Sequence, residues 1–297
     1  MRPISIITDS CADLGADLRR DLGIDYARMN FVFDGKEAYA DLDWGEYPAP
    51  TFYDMMRNGT RVTTTQVPTE EFMSVFRRHL EAGCDIVYIG CSSALSGSVN
   101  TAEVVARTLR EEFPEARIEC VDSLRASLGE GMMVMDAAGL RDAGKTVDEI
   151  VAYLEKNRQC YNQLGTVDSL EYLHRAGRVK AAKAFFGNLF GVKPILISDV
   201  RGRNVAVRKG KGRVGAMREV VAMLTEILDG DAEGKLIGLV HGDCAEDAET
   251  LRKMIDEALP GAKFYVNYLG PIVGASCGPG TLGVYAYGKE VTVEGDE

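Results

Sequence analysis

Short apolar runs alternate with amphipathic stretches through the first half of the chain, and that alternation limits the folds open to it more than any other feature. Residues 4–7 read as a strand and 13–22 as a short helix; residues 85–89 and 118–121 read as further strands. Residues 69–82 place Phe72, Val75, Phe76 and Leu80 on one helical face, with Glu70 and Glu71 at the positive end of the helix dipole. Ala102, Val105, Ala106, Leu109 and Phe113 mark another helix, a further one centres on residues 132–140, and Thr146 with Glu149 spells a capping box for a helix running to about residue 158. Strands alternating with helices predict a parallel α/β layer architecture. Residues 28–39 interrupt it as a hairpin, because Asp34-Gly35 suits a tight primed turn.

The second half is patterned differently. Residues 170–174 and 181–190 look helical, and residues 193–210 read as strand, turn and strand around Arg201-Gly202. Residues 213–229 form a helix with Val214, Met217, Val221, Leu224 and Leu228 inward. A strand ending at His241, a helix over 246–258 and strands in "AKFYVNYLG" and "LGVYAYG" follow. The expected fold class is α/β with two domains and a ligand between them. Residues 1–160 would form an N-terminal parallel-sheet α/β domain and residues 161–297 a C-terminal α+β domain.

Composition narrows the function. A net charge of −11 over 297 residues argues against a nucleic-acid binder. The seven cysteines are scattered and odd in number, and none has CxxC spacing, so neither a metal site nor a disulfide framework is indicated. With no signal-peptide pattern at "MRPISIITDS" and no apolar run long enough for a membrane span, the expected location is cytoplasmic.

The chemistry-bearing stretch is residues 86–106, "IVYIGCSSALSGSVNTAEVVA", where an apolar run gives way to Ser92, Ser93, Ser96 and Ser98 around Gly97, just before a helix. Parallel sheets present ligand sites beyond the carboxyl ends of their strands. Free amides and the dipole at a helix start attract anions, and serine hydroxyls add neutral donors. Asp9-Ser10, Asp122-Ser123 and Asp168-Ser169 stand at other expected strand ends. Each serine alone is better read as a cap and each Asp-Ser pair as a turn; taken together they read as a ligand edge. A second hydroxyl cluster is Thr63, Thr64 and Thr65 before Gln66, and a third candidate is "GASCGPGTLGV", a flexible loop with Ser276 and Cys277.

Other patterns are weaker. "GKGRVG" at 210–215 matches a dinucleotide fingerprint without an early βαβ unit, and neither a Walker loop nor a GxSxG elbow is present. His79 reads as a solvated helix residue beside Arg77 and Arg78, and His241 ends a strand where a site residue could stand. No nucleophile–base–orienter set emerges.

The ordered motifs "IITDSCADL", "TTTQVP", "SSALSGS", "VDSLRASLGEG", "LEYLHRAGRV", "GNLFGVKPIL" and "GASCGPGTLGV" together resemble the DegV family of bacterial fatty-acid-binding proteins. The resemblance implies a non-enzymatic lipid carrier. It would hold one long-chain fatty acid between two domains, need no other cofactor, and present the acid to the ATP-binding subunit of a fatty-acid kinase for acyl-phosphate formation. By the same resemblance Thr64, Ser96, Ser93, the Gly97 amide and Ser276 would hold the carboxylate, with Arg178, Thr65 and His241 in support. Ser276 stands where the family usually has histidine, and Ala176 replaces the first glycine of its Gly-Gly-Arg motif. A sixteen-carbon acid buries roughly fourteen methylenes at about 0.8 kcal/mol each, or ~11 kcal/mol gross. Head-group hydrogen bonds add about 1.5–3 kcal/mol. Affinity should therefore come from an apolar tunnel, whose walls residues 129–135, with Met132, Met133 and Met135, and residues 184–197 could supply. The alternative reading is a hydrolase or transferase acting on a small phosphorylated or carboxylated metabolite at Asp9, Ser10 and the serine loop.

Overall fold

The computed structural model describes residues 2–179 and 191–295. Strands β1 (Ile4–Asp9), β2 (Ile24–Ala27), β6 (Asp85–Gly90) and β7 (Ile118–Asp122) form an all-parallel sheet in the order β2-β1-β6-β7. A small antiparallel sheet orders β4 (Lys36–Ala40), β3 (Met29–Phe33) and β5 (Val62–Thr65). The third sheet contains β8 (Tyr161–Thr166), β9 (Val192–Ser198), β10 (Asn204–Lys211), β11 (Leu236–His241), β12 (Lys263–Tyr268) and β13 (Leu282–Tyr287), in the order β10-β9-β8-β13-β11-β12. Within it only the β11–β12 pair is parallel.

Why the layers stack follows from the period of two along a strand. Ile7 of β1 and Ile86 and Tyr88 of β6 face a cluster with Phe72, Val75 and Phe76 of α3 (Thr69–Glu81) and Ala102, Val105 and Leu109 of α4 (Ser98–Glu112). Their neighbours Ile6, Val87 and Ile89 face the opposite way, toward α5 (Leu128–Asp142) and α6 (Val147–Asn157). A strand buried on both faces has to be apolar throughout, which is why β6 is a continuous apolar run. Helix α5 is itself shared: Leu128, Met133 and Val134 pack with Tyr161, Val240 and Tyr285 of the six-stranded sheet. That sheet's other face, with Leu282, Val284 and Leu239, packs on α8 (Gly212–Ile227) and α9 (Ala245–Ala258).

The local signals act as the chemistry requires. Asp34 and Gly35 take φ values of 48° and 73°, the primed turn joining β3 to β4. The Thr146 side chain accepts the Glu149 amide, while Glu149 accepts the Thr146 amide, closing the capping box of α6.

Several expectations need correction. Val214 is 52% exposed, and Val220 takes the inward place in α8 beside Met217 and Leu224. Of the loop expected in "GASCGPGTLGV", residues 274–277 instead end a helix, α10 (Pro271–Cys277), started by proline at its first turn, while 278–281 do form a turn into β13. Helices α1 (Ala16–Asp21), α2 (Ala49–Arg57) and α7 (Leu170–Ala176) and a 3-10 turn at Arg158–Cys160 complete the described elements; β2 and α2 escaped the periodicity because one is four residues long and the other follows a Pro-rich turn. The helix expected at 181–190 lies outside the described residues. His79 is not merely solvated: its Nδ1 meets Ser5 Oγ at 2.9 Å and its Nε2 meets Asp25 Oδ2 at 2.8 Å.

The Asp25 contact gives an acid-stability prediction. Burial raises the carboxyl's pKa, but His79, the Tyr26 amide and Arg78 outweigh it and bring the value to about 2. A carboxylate depressed in the folded state contributes stability above its unfolded value near 4, and that contribution is lost as pH falls toward 2. Asp25→Asn is expected to cost about 1 kcal/mol at pH 7, after solvent screening, and about a third of that at pH 2.5. Urea midpoints of both proteins at the two pH values check it, and an equal loss at both removes the ion-pair explanation.

Candidate functional site

The carboxyl ends of β1, β6 and β7 share one edge of the parallel sheet, and the serine loop leaves β6 there. The Ser92 amide donates to the Arg125 carbonyl at 2.8 Å and its Oγ donates to the Gly202 carbonyl at 2.8 Å, pinning the loop between the sheets. Helix α4 then begins at Ser98 with Gly97 as its N-cap residue. A Cβ on Gly97 would lie 2.0 Å from Gln66 Oε1, so any larger residue there would have to push the Gln66 amide aside. Two bonds stitch the segments together. The Val67 amide donates to Ser98 Oγ at 3.1 Å, and Gln66 Nε2 donates to Thr101 Oγ1 at 2.7 Å.

This stitching places Thr64, Thr65, Gln66, Ser96 and Gly97 on the wall of one cavity. Ser276 and Arg178 line it as well, Ser276 from α10 and Arg178 from just after α7. Counting its open mouth, the cavity holds about 1020 Å³ of empty space, the size of a small-molecule site. Its interior is made by Met29, Cys11 and Cys91 from the N-terminal sheets and by Leu164, Val167, Leu196 and Leu282 from the six-stranded sheet. Leu173, Leu269, Ile272 and Val273 complete it. Arg178 is the only charged side chain among the described residues lining it, in a protein of net charge −11. Apolar walls together with hydroxyls, a helix N-terminus and one guanidinium are complementary to an apolar molecule ending in an anion, and Gln163, Asn204, Thr281 and Tyr285 add further neutral polar groups to the lining.

Arg178 is held as well as charged. Its Nε donates to the Leu95 carbonyl at 2.8 Å and its Nη1 to the Ala176 carbonyl at 2.7 Å, tying the end of α7 to the serine loop. Ser96 Oγ lies 3.0 Å from Ser98 Oγ, and Ser276 Oγ donates to the Ile272 carbonyl at 3.4 Å. A second cavity, about 720 Å³, meets the first at Thr64, Arg178 and Ser276 and adds Arg61 and Arg175.

Other expected site residues lie elsewhere. Ser93 is exposed and its hydroxyl donates to Asp122 Oδ2 at 2.5 Å, because Asp122 closes the turn after β7. His241 packs against the Tyr268 ring, centroids 4.5 Å apart, and its Nδ1 accepts the Cys244 amide at 3.3 Å; burial pushes its pKa down. Neither residue lines the cavity. Met132, Met133 and Met135 do not wall it either: Met133 is core on α5, and Met132 and Met135 edge a separate surface cavity with Tyr153. Of residues 184–197, Leu196 does line it, and 184–190 lie outside the described residues.

The Asp-Ser pairs are turn and cap devices. Ser10 Oγ donates to the Ala40 carbonyl at 2.6 Å and accepts the Met29 amide at 2.9 Å, joining the parallel sheet to the hairpin. Asp9 accepts the Cys11 amide, the Cys91 amide and the Tyr88 hydroxyl. Ser169 caps α7, and Asp168 pairs with Lys193. The "GKGRVG" stretch joins the antiparallel edge strand β10 to α8, which is not the parallel βαβ setting of a dinucleotide site. Sequence reading missed the wall formed by α10, where Val273, Ser276 and Cys277 share one helical face; Pro271 at the first turn was the available signal.

Fold and cavity together define a mixed α/β protein with a cavity among its sheets, lined by apolar side chains, hydroxyls and one guanidinium. The family model described as "Uncharacterised protein, DegV family" matches residues 3–289. A DegV domain-containing protein of Clostridium perfringens is 35% identical over 288 residues, covering 97% of this chain and 98% of that relative. Among solved structures, a fatty-acid-binding DegV family protein from Thermus thermophilus superposes with a TM-score of 0.87 at 32% identity, covering 97% of this chain and 100% of that one. DegV of Bacillus subtilis, a fatty-acid-binding protein, superposes with a TM-score of 0.84 at 25% identity, covering 97% and 100%. The chain belongs to the DegV family.

Proposed function

We propose that the protein is a cytoplasmic carrier that binds one long-chain fatty acid in the 1020 Å³ cavity, between a domain of residues 1–160 and one of residues 161–297. The carboxylate rests on Thr64, Ser96, the Gly97 amide and Ser276, with Arg178 and Thr65 beside it, and the acyl chain runs inward along Leu164, Val167, Leu196 and Ile272. The observation that carries this reading is the cavity's lining: Arg178 as the single cation among the described residues, neutral donors on Thr64, Ser96 and Ser276, apolar side chains such as Leu164, Val167, Leu196 and Ile272, and Gln163, Asn204, Thr281 and Tyr285 as further neutral polar groups. The fatty-acid-binding relatives from Thermus thermophilus and Bacillus subtilis support it.

The same reading extends to a partner. The second cavity reaches Thr64, Arg178 and Ser276 from outside and is lined by Arg61 and Arg175. A head group held there is reachable by the ATP-binding subunit of a fatty-acid kinase, which would move the γ-phosphoryl group of ATP onto the carboxylate, releasing ADP and leaving an acyl phosphate. Incubation with such a subunit, ATP and palmitate should yield acyl phosphate, trapped as its hydroxamate; ADP release without acyl phosphate would restrict the protein to storage.

Two measurements test the binding itself. Organic extraction of protein expressed in bacteria, followed by mass spectrometry, should recover a long fatty acid in near-stoichiometric amount, and lipid-free protein that takes up no palmitate overturns the proposal. Thr64→Ala and Ser96→Ala should each weaken palmitate binding by about 1–3 kcal/mol, the loss of a donor to a buried charged acceptor. Unchanged affinity in both reassigns the head group.

A further inference from the structure

Cys11 and Cys91 follow the neighbouring parallel strands β1 and β6, and a single carboxylate holds both in place. Asp9 Oδ1 accepts the Cys11 amide at 2.8 Å, and Oδ2 accepts the Cys91 amide at 3.1 Å and the Tyr88 hydroxyl at 2.8 Å. Both thiols are buried and both line the large cavity. Glu130 reaches the same spot from α5 and is 0% exposed. The two Sγ atoms and a Glu130 carboxylate oxygen all lie within 4.8 Å of one another.

The Glu130 carboxyl is only half used. Its Oε1 lies 2.7 Å from Thr8 Oγ1, while its Oε2 has no hydrogen-bond partner despite complete burial. An orphaned buried oxygen is costly, so native proteins rarely keep one without a use. The Thr8 hydroxyl has one proton and two oxygen neighbours, the Ile89 carbonyl at 2.9 Å and Glu130. Thr8 therefore donates to one of them at a time, and Glu130 Oε2 keeps its lone pairs free.

We infer that Cys11, Cys91 and Glu130 form a three-ligand site for a borderline-soft d10 cation, Zn²⁺, with the fourth position open to the cavity. Two sulfurs and an oxygen around tetrahedral zinc need ligand separations of about 3.5–3.8 Å, which the observed cluster reaches by small side-chain movements. Zinc takes its ligands deprotonated, so binding releases the thiol protons of Cys11 and Cys91 and engages Glu130 as a carboxylate, and the dication offsets most of the negative charge this places in the dry interior. The ligand set is complete without lipid, so this inference does not depend on the acyl-carrier reading; the cavity serves only as the path in.

The test uses full-length, reduced, delipidated protein, titrated with Co²⁺ as a spectroscopic probe and with Zn²⁺ in competition with a chromogenic chelator. One equivalent of Co²⁺ should give a near-ultraviolet thiolate charge-transfer band and the visible bands of a tetrahedral ion, and Zn²⁺ should abolish both. Cys11→Ser and Cys91→Ser should lose the charge-transfer band's intensity, and Glu130→Gln should weaken binding about tenfold or more. Wild-type protein with both thiols reduced and no Zn²⁺ binding tighter than about 100 μM overturns the inference, as does a Co²⁺ spectrum without thiolate bands; neither measurement requires a variant to fold. Spontaneous loss of both thiols with a mass decrease of about 2 Da in air also overturns it, assigning the pair to a disulfide instead.

Discussion

Tryptophan at position 273 should abolish acyl binding and leave the protein folded. Val273 lies on α10, beside Ile272 and one turn from Ser276 and Cys277, and its side chain lines the cavity. It is only partly buried because open space, not packed protein, lies in front of it. An indole there is accommodated by the void, so the overpacking cost of a filled core does not arise. The acyl chain meets that indole instead. Displacing about half of a sixteen-carbon tail removes about seven methylenes from their apolar surroundings, ~5–6 kcal/mol, or roughly 10⁴-fold in affinity. Calorimetric titration with palmitate reads the loss, and the melting temperature reads folding. Affinity within about tenfold of wild type would mean that the tail runs elsewhere.

The largest expected effect on stability is at Arg125, the largest of the fully buried side chains. It sits between β7 and α5, and its own carbonyl accepts the Ser92 amide, so its backbone holds the serine loop. Its guanidinium spans to the six-stranded sheet, donating to the carbonyls of Leu124, Tyr161 and Asp199 and to Gln159 Oε1. Burial lowers its pKa to about 10, with Asp199 partly opposing, and it stays charged at neutral pH. Arg125→Ala leaves those carbonyls unpaired and a void in their midst, an expected cost of about 3–5 kcal/mol. In a chain of this size that lowers the melting temperature by roughly 6–15 °C. An unchanged urea midpoint would show that water replaces the guanidinium at no net cost.

How far such features can be read in advance depends on the range of the forces behind them. The parallel sheet was legible because its central strand β6 is buried on both faces, with Ile86–Ile89 apolar throughout, and β1 and β7 carry short apolar runs beside it. The β3–β4 turn and the start of α6 were legible because Asp34-Gly35 and Thr146…Glu149 satisfy their backbones within a few residues. Helix α10 was not, since seven residues containing Gly274 carry too little periodicity. Nor was the role of "GEGMMVM" legible. Its apolar residues serve a helix packed between two sheets, and composition does not distinguish that from a tunnel wall.

The candidate site divides along the same line. Thr64, Ser96 and Gly97 stood out because hydroxyls and glycine before a helix start have a local meaning, whereas Ser93 and His241 shared that look and were drawn to Asp122 and Tyr268. Arg125 and the meeting of Cys11, Cys91 and Glu130 left no trace in spacing, because their partners arrive from distant segments.

By itself the sequence determined the parallel layer, the hairpin turn, the helix caps and the hydroxyl segments, since each rests on contacts between near neighbours in the chain. Only the tertiary structure decided that β8 pairs with β13, that α5 lies between two sheets, and which side chains face the chamber. A cavity is the space left when distant surfaces meet, and that depends on packing that no local pattern encodes.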